Sequence, residues 1–281
     1  MLGFLAILIS SALGGFGEVI IKKTVGKNGV YRAIAYNYVG LLFLLIVGAL
    51  ISKQSFSFPI ALIIPYLIQV LIGAIAILAL FKAFEKGKPS ILVSFTNLYV
   101  LVVLFISIFI LGESLSILQI VGSIVLIISA IILIFEDLKS FKLESGILFA
   151  IITIFGWGYY YSFIKVFVPV FGTYMTTFFL EMGDGVLVIL YVLIFKREEI
   201  SPPSREDAKL IYFRSSMVFF ASLLFTYSVG SIGSALTSAI NSSSSIFTAI
   251  SSYFLLKEKL DFIKYVSIAL MVIGLILVFL G

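Results

Sequence analysis

Two carboxylates stand where carboxylates are costly. Glu181 and Asp184 fall inside the apolar stretch TYMTTFFLEMGDGVLVILYVLIF. At ~1.5 Å of rise per residue, both lie near the middle of a helix long enough to cross a bilayer. Their spacing of three places them on one helical face. An ionised acid in hydrocarbon costs several kcal/mol, so the pair must face the protein interior, a cavity or a cation. Adjacent carboxylates also oppose each other's ionisation, which suits an acid that couples transport to a proton. The alternative is a structural ion pair with Arg214, inside a later apolar stretch, and Arg214 is a partner in either reading. Glu18 invites a plainer account, a local salt bridge to Lys22 one turn on.

The uncharged candidates are Asn97 and Asn241, which occupy matching places in two similar stretches. Buried amides either bond a solute or hold helices together. Asn241 opens onto Ser242–Ser245, a run that either lines a wet path or permits close helix packing. Trp157 stands between two glycines and is the aromatic expected in a cavity, with Tyr160 beside it; Asn37, between Tyr36 and Tyr38, is a fainter case. Glu113 and Glu258 fall at membrane-edge turns and read as structural. Enzyme chemistry finds little support. The chain has no His and no Cys, which removes Ser–His hydrolysis, His-based zinc sites and thiol nucleophiles. No phosphate-binding Gly-rich loop ending in Lys-Ser/Thr is present. No metal or cofactor is expected.

The elements that position these residues are apolar helices. Of 281 residues, 62% are hydrophobic and 12% charged, too little polar surface to cover a water-soluble fold. Apolar runs of about 20 residues recur, the length that spans the hydrocarbon core. With no water to satisfy the backbone there, the spans should be α-helices, and the alternating ten-residue strands of a barrel are absent. Spans are expected at about 2–21, 33–52, 60–81, 90–111, 115–135, 146–165, 172–195, 210–229, 232–255 and 260–280. Pro59, Pro65 and Pro89 are expected at helix starts, and Pro169 in the turn after the sixth span. The N-terminus shows no cleavable signal and reads as a retained span.

The chain also repeats itself. The stretch from Phe84 to Phe135 recurs from Tyr227 to Leu280, each copy with small residues at a turn, an Asn, a Leu-x-Glu turn and a last apolar helix. The first helices match as well: Gly14-Gly15-Phe16-Gly17 leads to Lys22, and Gly156-Trp157-Gly158 to Lys165. A duplicated unit follows, divided by the charged stretch Glu136–Glu144 into repeats at 1–137 and 144–281. Five helices per unit is an odd number, so the second copy enters from the opposite face. Charge agrees: all of the 19 lysines and arginines except Lys53 and Lys165 fall on one side, counting Arg214 with the nearest loop. The positive-inside rule makes that side cytoplasmic and puts both termini outside. The basic pI reflects these loops and no nucleic-acid partner.

Five-plus-five helices, a Gly-rich first helix ending in Lys in each half, and the LGE and LKE turns before each last helix resemble the EamA-type transporters of the drug/metabolite transporter superfamily. The resemblance spans essentially the whole chain. It implies a carrier for a small organic solute with a cavity between the halves. Two departures stand out: a Pro often found midway in the helix before the LGE turn is replaced by Asn97-Leu98-Tyr99 and Asn241-Ser242-Ser243, and Lys257 stands where the first copy has Gly112.

The sequence thus predicts an all-α membrane protein of ten transmembrane helices, arranged as two inverted five-helix repeats in the cell membrane. Its expected partners are the lipid bilayer and a small organic metabolite, and it is a monomer or homodimer. The expected function is secondary transport by alternating access, proton-coupled through Glu181 or Asp184. The solute site would draw on Trp157, Asn97, Asn241, Tyr160, Asn37 and Arg214. The alternative is a non-transporting membrane subunit or scaffold, for which the centre would be dry and tightly packed.

Overall fold

A computed structural model describes residues 1–53, 56–86, 95–138, 146–257 and 262–281. Within them the regular structure is helical. Helices α1 (Leu2–Asn28), α2 (Val30–Ser52) and α3 (Ile63–Lys86) are followed by α4 (Tyr99–Phe105), which runs on as a π-helix over Ile106–Ile110, and by α5 (Ile117–Leu138). The helix Gly146–Phe195 has 50 residues. Unbroken, it would reach ~75 Å, more than twice the hydrocarbon thickness. It breaks at Gly172, whose φ of 71° and ψ of 174° leave the helical region, giving α6 (146–171) and α7 (173–195). Arg205–Asn241 breaks likewise at Gly233. Its first arm is α8 (205–232); the second arm, 234–241, continues through a tight turn into Ser244–Leu256, and together these form α9. The last helix is α10 (Phe262–Leu280).

Several expectations shift by a turn or so. Helices α1 and α6 extend well beyond 21 and 165. Pro169 therefore lies inside a helix rather than in the turn after it, because the chain stays helical until Gly172 supplies the positive φ. Close to a helix end, Pro forfeits one backbone bond without stopping the last turn. The run Lys196–Lys209 is shorter than expected as a loop: α8 begins at Arg205, with the Ser204 hydroxyl accepting from the Asp207 N–H. Pro89, Glu258 and the central linker at 139–145 lie outside the described residues.

The fourth helix of each half is interrupted at the same place. Leu98, Val100 and Leu101 donate to carbonyls three residues back. In the second copy Ser243, Ser245 and Ile246 do the same. The interruptions fall at Asn97-Leu98 and Ser242-Ser243, so these residues tighten the helix without a proline.

The helices exchange partners across the midpoint of the chain. Helix α1 packs on α8 (Ser10 Oγ donates to the Ala221 carbonyl, 2.8 Å; Ser228 Oγ to the Gly3 carbonyl, 3.0 Å), and α3 on α6 (Gln69 Nε2 to the Tyr160 carbonyl, 2.6 Å). Helix α1 meets α9 so closely at Gly15 that a Cβ there would lie 2.5 Å from the Ser244 carbonyl oxygen. Correspondingly α4 meets α6, where the Tyr99 ring stands edge-on to Trp157. Helix α2 packs on α7 and α5 on α10, the latter pair through Ser129 Oγ to the Ser267 carbonyl at 2.7 Å. All three buried apolar clusters draw on residues from both sides of the midpoint. Outward faces carry exposed Leu, Ile and Phe in quantity, a surface suited to lipid.

Candidate functional site

Between the exchanged helices lies a cavity of about 170 Å³ lined by charged, polar and aromatic side chains. Every residue predicted for a site lines it: Trp157, Asn97, Asn241, Tyr160, Asn37, Arg214, Glu181 and Asp184. They arrive from six helices or their tightened turns. Glu18 joins them from α1, together with Ser222 from α8 and Tyr38, Tyr99 and Tyr161.

The charges are unevenly matched. Asp184 and Arg214 are each 5% exposed. The electrostatic partners of Arg214 are Glu18 and Glu181. Among the described residues it donates no hydrogen bond and has no acid within 4 Å, its Nε is buried without a partner, and its guanidinium lies 5.4 Å over the Phe81 ring. Glu181 accepts from Ser222 Oγ at 2.6 Å instead of forming the ion pair weighed for it. Glu18, expected beside Lys22 at the membrane edge, faces the cavity with Oε2 buried and unpartnered. Asp184 has Glu181 as its charged neighbour and the Tyr160 hydroxyl approaching it, while its Oδ1 has no partner. Gly73 makes room for that carboxylate; a Cβ there would sit 2.6–2.8 Å from its atoms. Unpaired polar groups in low dielectric are expensive, and here they converge on one space.

The two asparagines hold the interrupted helices. Asn97 Nδ2 reaches the Ser242 carbonyl (3.3 Å), Ser244 Oγ (3.1 Å) and Ser245 Oγ (2.7 Å). Asn241 accepts from Ser11 Oγ (3.0 Å) and donates to the Tyr99 hydroxyl (2.9 Å). Glue and cavity lining, posed as alternatives by the sequence, are properties of the same side chains. Trp157, Tyr99 and Tyr161 form an aromatic wall, with centroids 5.0–5.9 Å apart.

Ser222 escaped the sequence reading and Glu18 was read there as a local salt bridge, although each left a trace. Arg214, Val218 and Ser222 follow at intervals of four along α8, one stripe facing the cavity, and Gly14 and Glu18 do the same on α1.

Compared with known families, residues 1–135 and residues 144–280 each match the EamA-like transporter family. The chain belongs to that family. Its members are transporters, and this protein is a multi-pass membrane protein rather than an enzyme. An uncharacterised protein of Methanocaldococcus jannaschii is 29% identical over 127 residues, covering 45% of this chain and 91% of that one. A solved crystal structure superposes with a TM-score of 0.77 at 18% identity, over 99% of this chain and 97% of the other, a likeness of fold.

Proposed function

We propose that this EamA-family chain is a secondary carrier that moves a small organic solute by alternating access, with Glu181 and Asp184 coupling the movement to protons. Ten spans form two five-helix units, 1–137 and 144–281, inserted in opposite senses in the cell membrane with both termini outside. The observation that carries this reading is the cavity between the exchanged helices, with Asp184, Glu18 and Arg214 all holding unpartnered atoms around it.

Three further features support it. The partner exchange is two-fold in pattern, α1 with α8 and α3 with α6, as inverted repeats require. The interrupted helices bring their irregular turns to the cavity, the place where irregular backbone is tolerated at membrane depth. The archaeal relative aligns along nearly its whole length with less than half of this chain, as a single unit would. A scaffold would have no use for a central cavity ringed by charge.

The test is uptake of amino acids, nucleosides and sugar phosphates into proteoliposomes under an imposed pH gradient. D184N is expected to abolish gradient-driven accumulation while leaving exchange of solute down its own gradient, and E181Q to weaken it. Full pH-driven uptake in both variants would remove proton coupling through this pair. Absence of transport for every solute class in the intact protein would favour the scaffold.

A further inference from the structure

At one end of the cavity-lining helices a single carboxylate ties the two halves together. Glu113 follows the π-helix of α4. Its Oε1 accepts from the Ser234 N–H and its Oε2 from the Ala235 N–H, both at 2.9 Å, and Lys165 Nζ lies 3.0 Å from Oε1. The carboxylate is 6% exposed, whereas the lysine is 40% exposed. All three of these partners belong to the second half, although Glu113 belongs to the first. The two amides are the first donors of the α9 arm after Gly233, where a negative charge is favoured by the free N–H groups and the helix dipole.

The three segments joined are the ones that wall the cavity. Helix α4 carries Tyr99, α6 carries Trp157 and Tyr161 one turn before Lys165, and α9 leads to Asn241. A solute leaving past this end would pass between them, and Glu113 ties all three together. The joint also has pivots. Gly112 (φ 68°) precedes the acid and Gly233 (φ 84°) precedes its amides, both in the region that glycine enters without strain. The π-helix Ile106–Ile110 leads into the joint, a local irregularity frequent at functional sites.

We infer that Glu113 is a gating residue: its bonds to Ser234, Ala235 and Lys165 latch the Lys165 side of the cavity shut, and the transport cycle must break them to open that side. The inference rests on the carrier reading above. It also assigns the Leu-Gly-Glu turn a role beyond capping. The turn supplies an anion that is strong when seated but replaceable by water when the helices part, so the latch is reversible in a way that apolar packing across the same seam would not be.

The chain contains no cysteine, so A221C, lining the cavity from α8, provides a single thiol whose access needs no known substrate. Its reaction with a membrane-impermeant maleimide is followed in right-side-out and inside-out vesicles. E113Q keeps size but offers one acceptor and two clashing donor hydrogens to three donors, so the labelling rate from the Lys165 side should rise about tenfold, the loss of one to two charge-assisted hydrogen bonds. K165M leaves both backbone bonds in place and should raise it about threefold. If both variants keep the parent's labelling rates on both sides, with only their thermal midpoints lowered, Glu113 is a structural cap and the latch is wrong. If A221C reacts from neither side in any variant, the centre is sealed and the carrier reading falls with it.

Discussion

The contact between Gly73 and Asp184 allows the placement of the Asp184 carboxylate to be tested without knowing the solute. In G73A the new methyl carbon would lie 2.6 Å from Oδ1, 2.7 Å from Oδ2 and 2.8 Å from Cγ of Asp184, where ordinary contact begins at 3.4 Å. The carboxylate must recede by ~0.7 Å or α3 and α7 must part, and overpacking of this size costs roughly 1–3 kcal/mol. The assay is a double-mutant cycle on thermal unfolding in detergent: G73A, D184A and the pair. Removing the carboxylate removes the clash, so G73A should be nearly neutral in the D184A background. The coupling energy then approaches the whole cost of G73A alone. G73A in the D184N background should keep its full penalty, because the amide fills the same volume. An equal cost in the D184A and parent backgrounds would refute the geometry, and with it the account of why position 73 carries no side chain.

Two other outcomes follow from the repeat and its departures. Lys257 holds φ at 57°, where the equivalent turn in the first half has Gly112 at 68°; K257G should relieve the left-handed strain and raise stability by roughly 0.5–1 kcal/mol, read as a higher thermal midpoint. Asn97 meets three acceptors and Asn241 joins two hydroxyls, so N97L should cost about 2 kcal/mol and N241L about 1 kcal/mol. The reverse order in the same unfolding assay would contradict the assigned networks.

Much of the fold is local information and was legible. Helical spans follow from the length of apolar runs, because a bilayer imposes one thickness on every crossing. The duplication follows from self-similarity, and the intramembrane acids, Arg214 and both asparagines stand out because polar groups at that depth need a reason. The sixth span was expected to end near 165 with Pro169 in the turn after it, whereas the chain stays helical until Gly172. What it left undecided was the partner of each polar group. Glu18 had Lys22 one turn away and yet faces Arg214 in the cavity; Glu181 had Arg214 in prospect and takes the Ser222 hydroxyl. Glu113 lies in a turn, as expected, but its backbone partners are more than 120 positions away. In helices that are apolar on nearly every side, hydropathy marks no inward face. The facing direction is set only when α1 seats on α8 and α3 on α6, and that contact between distant halves decides which buried charges share a space.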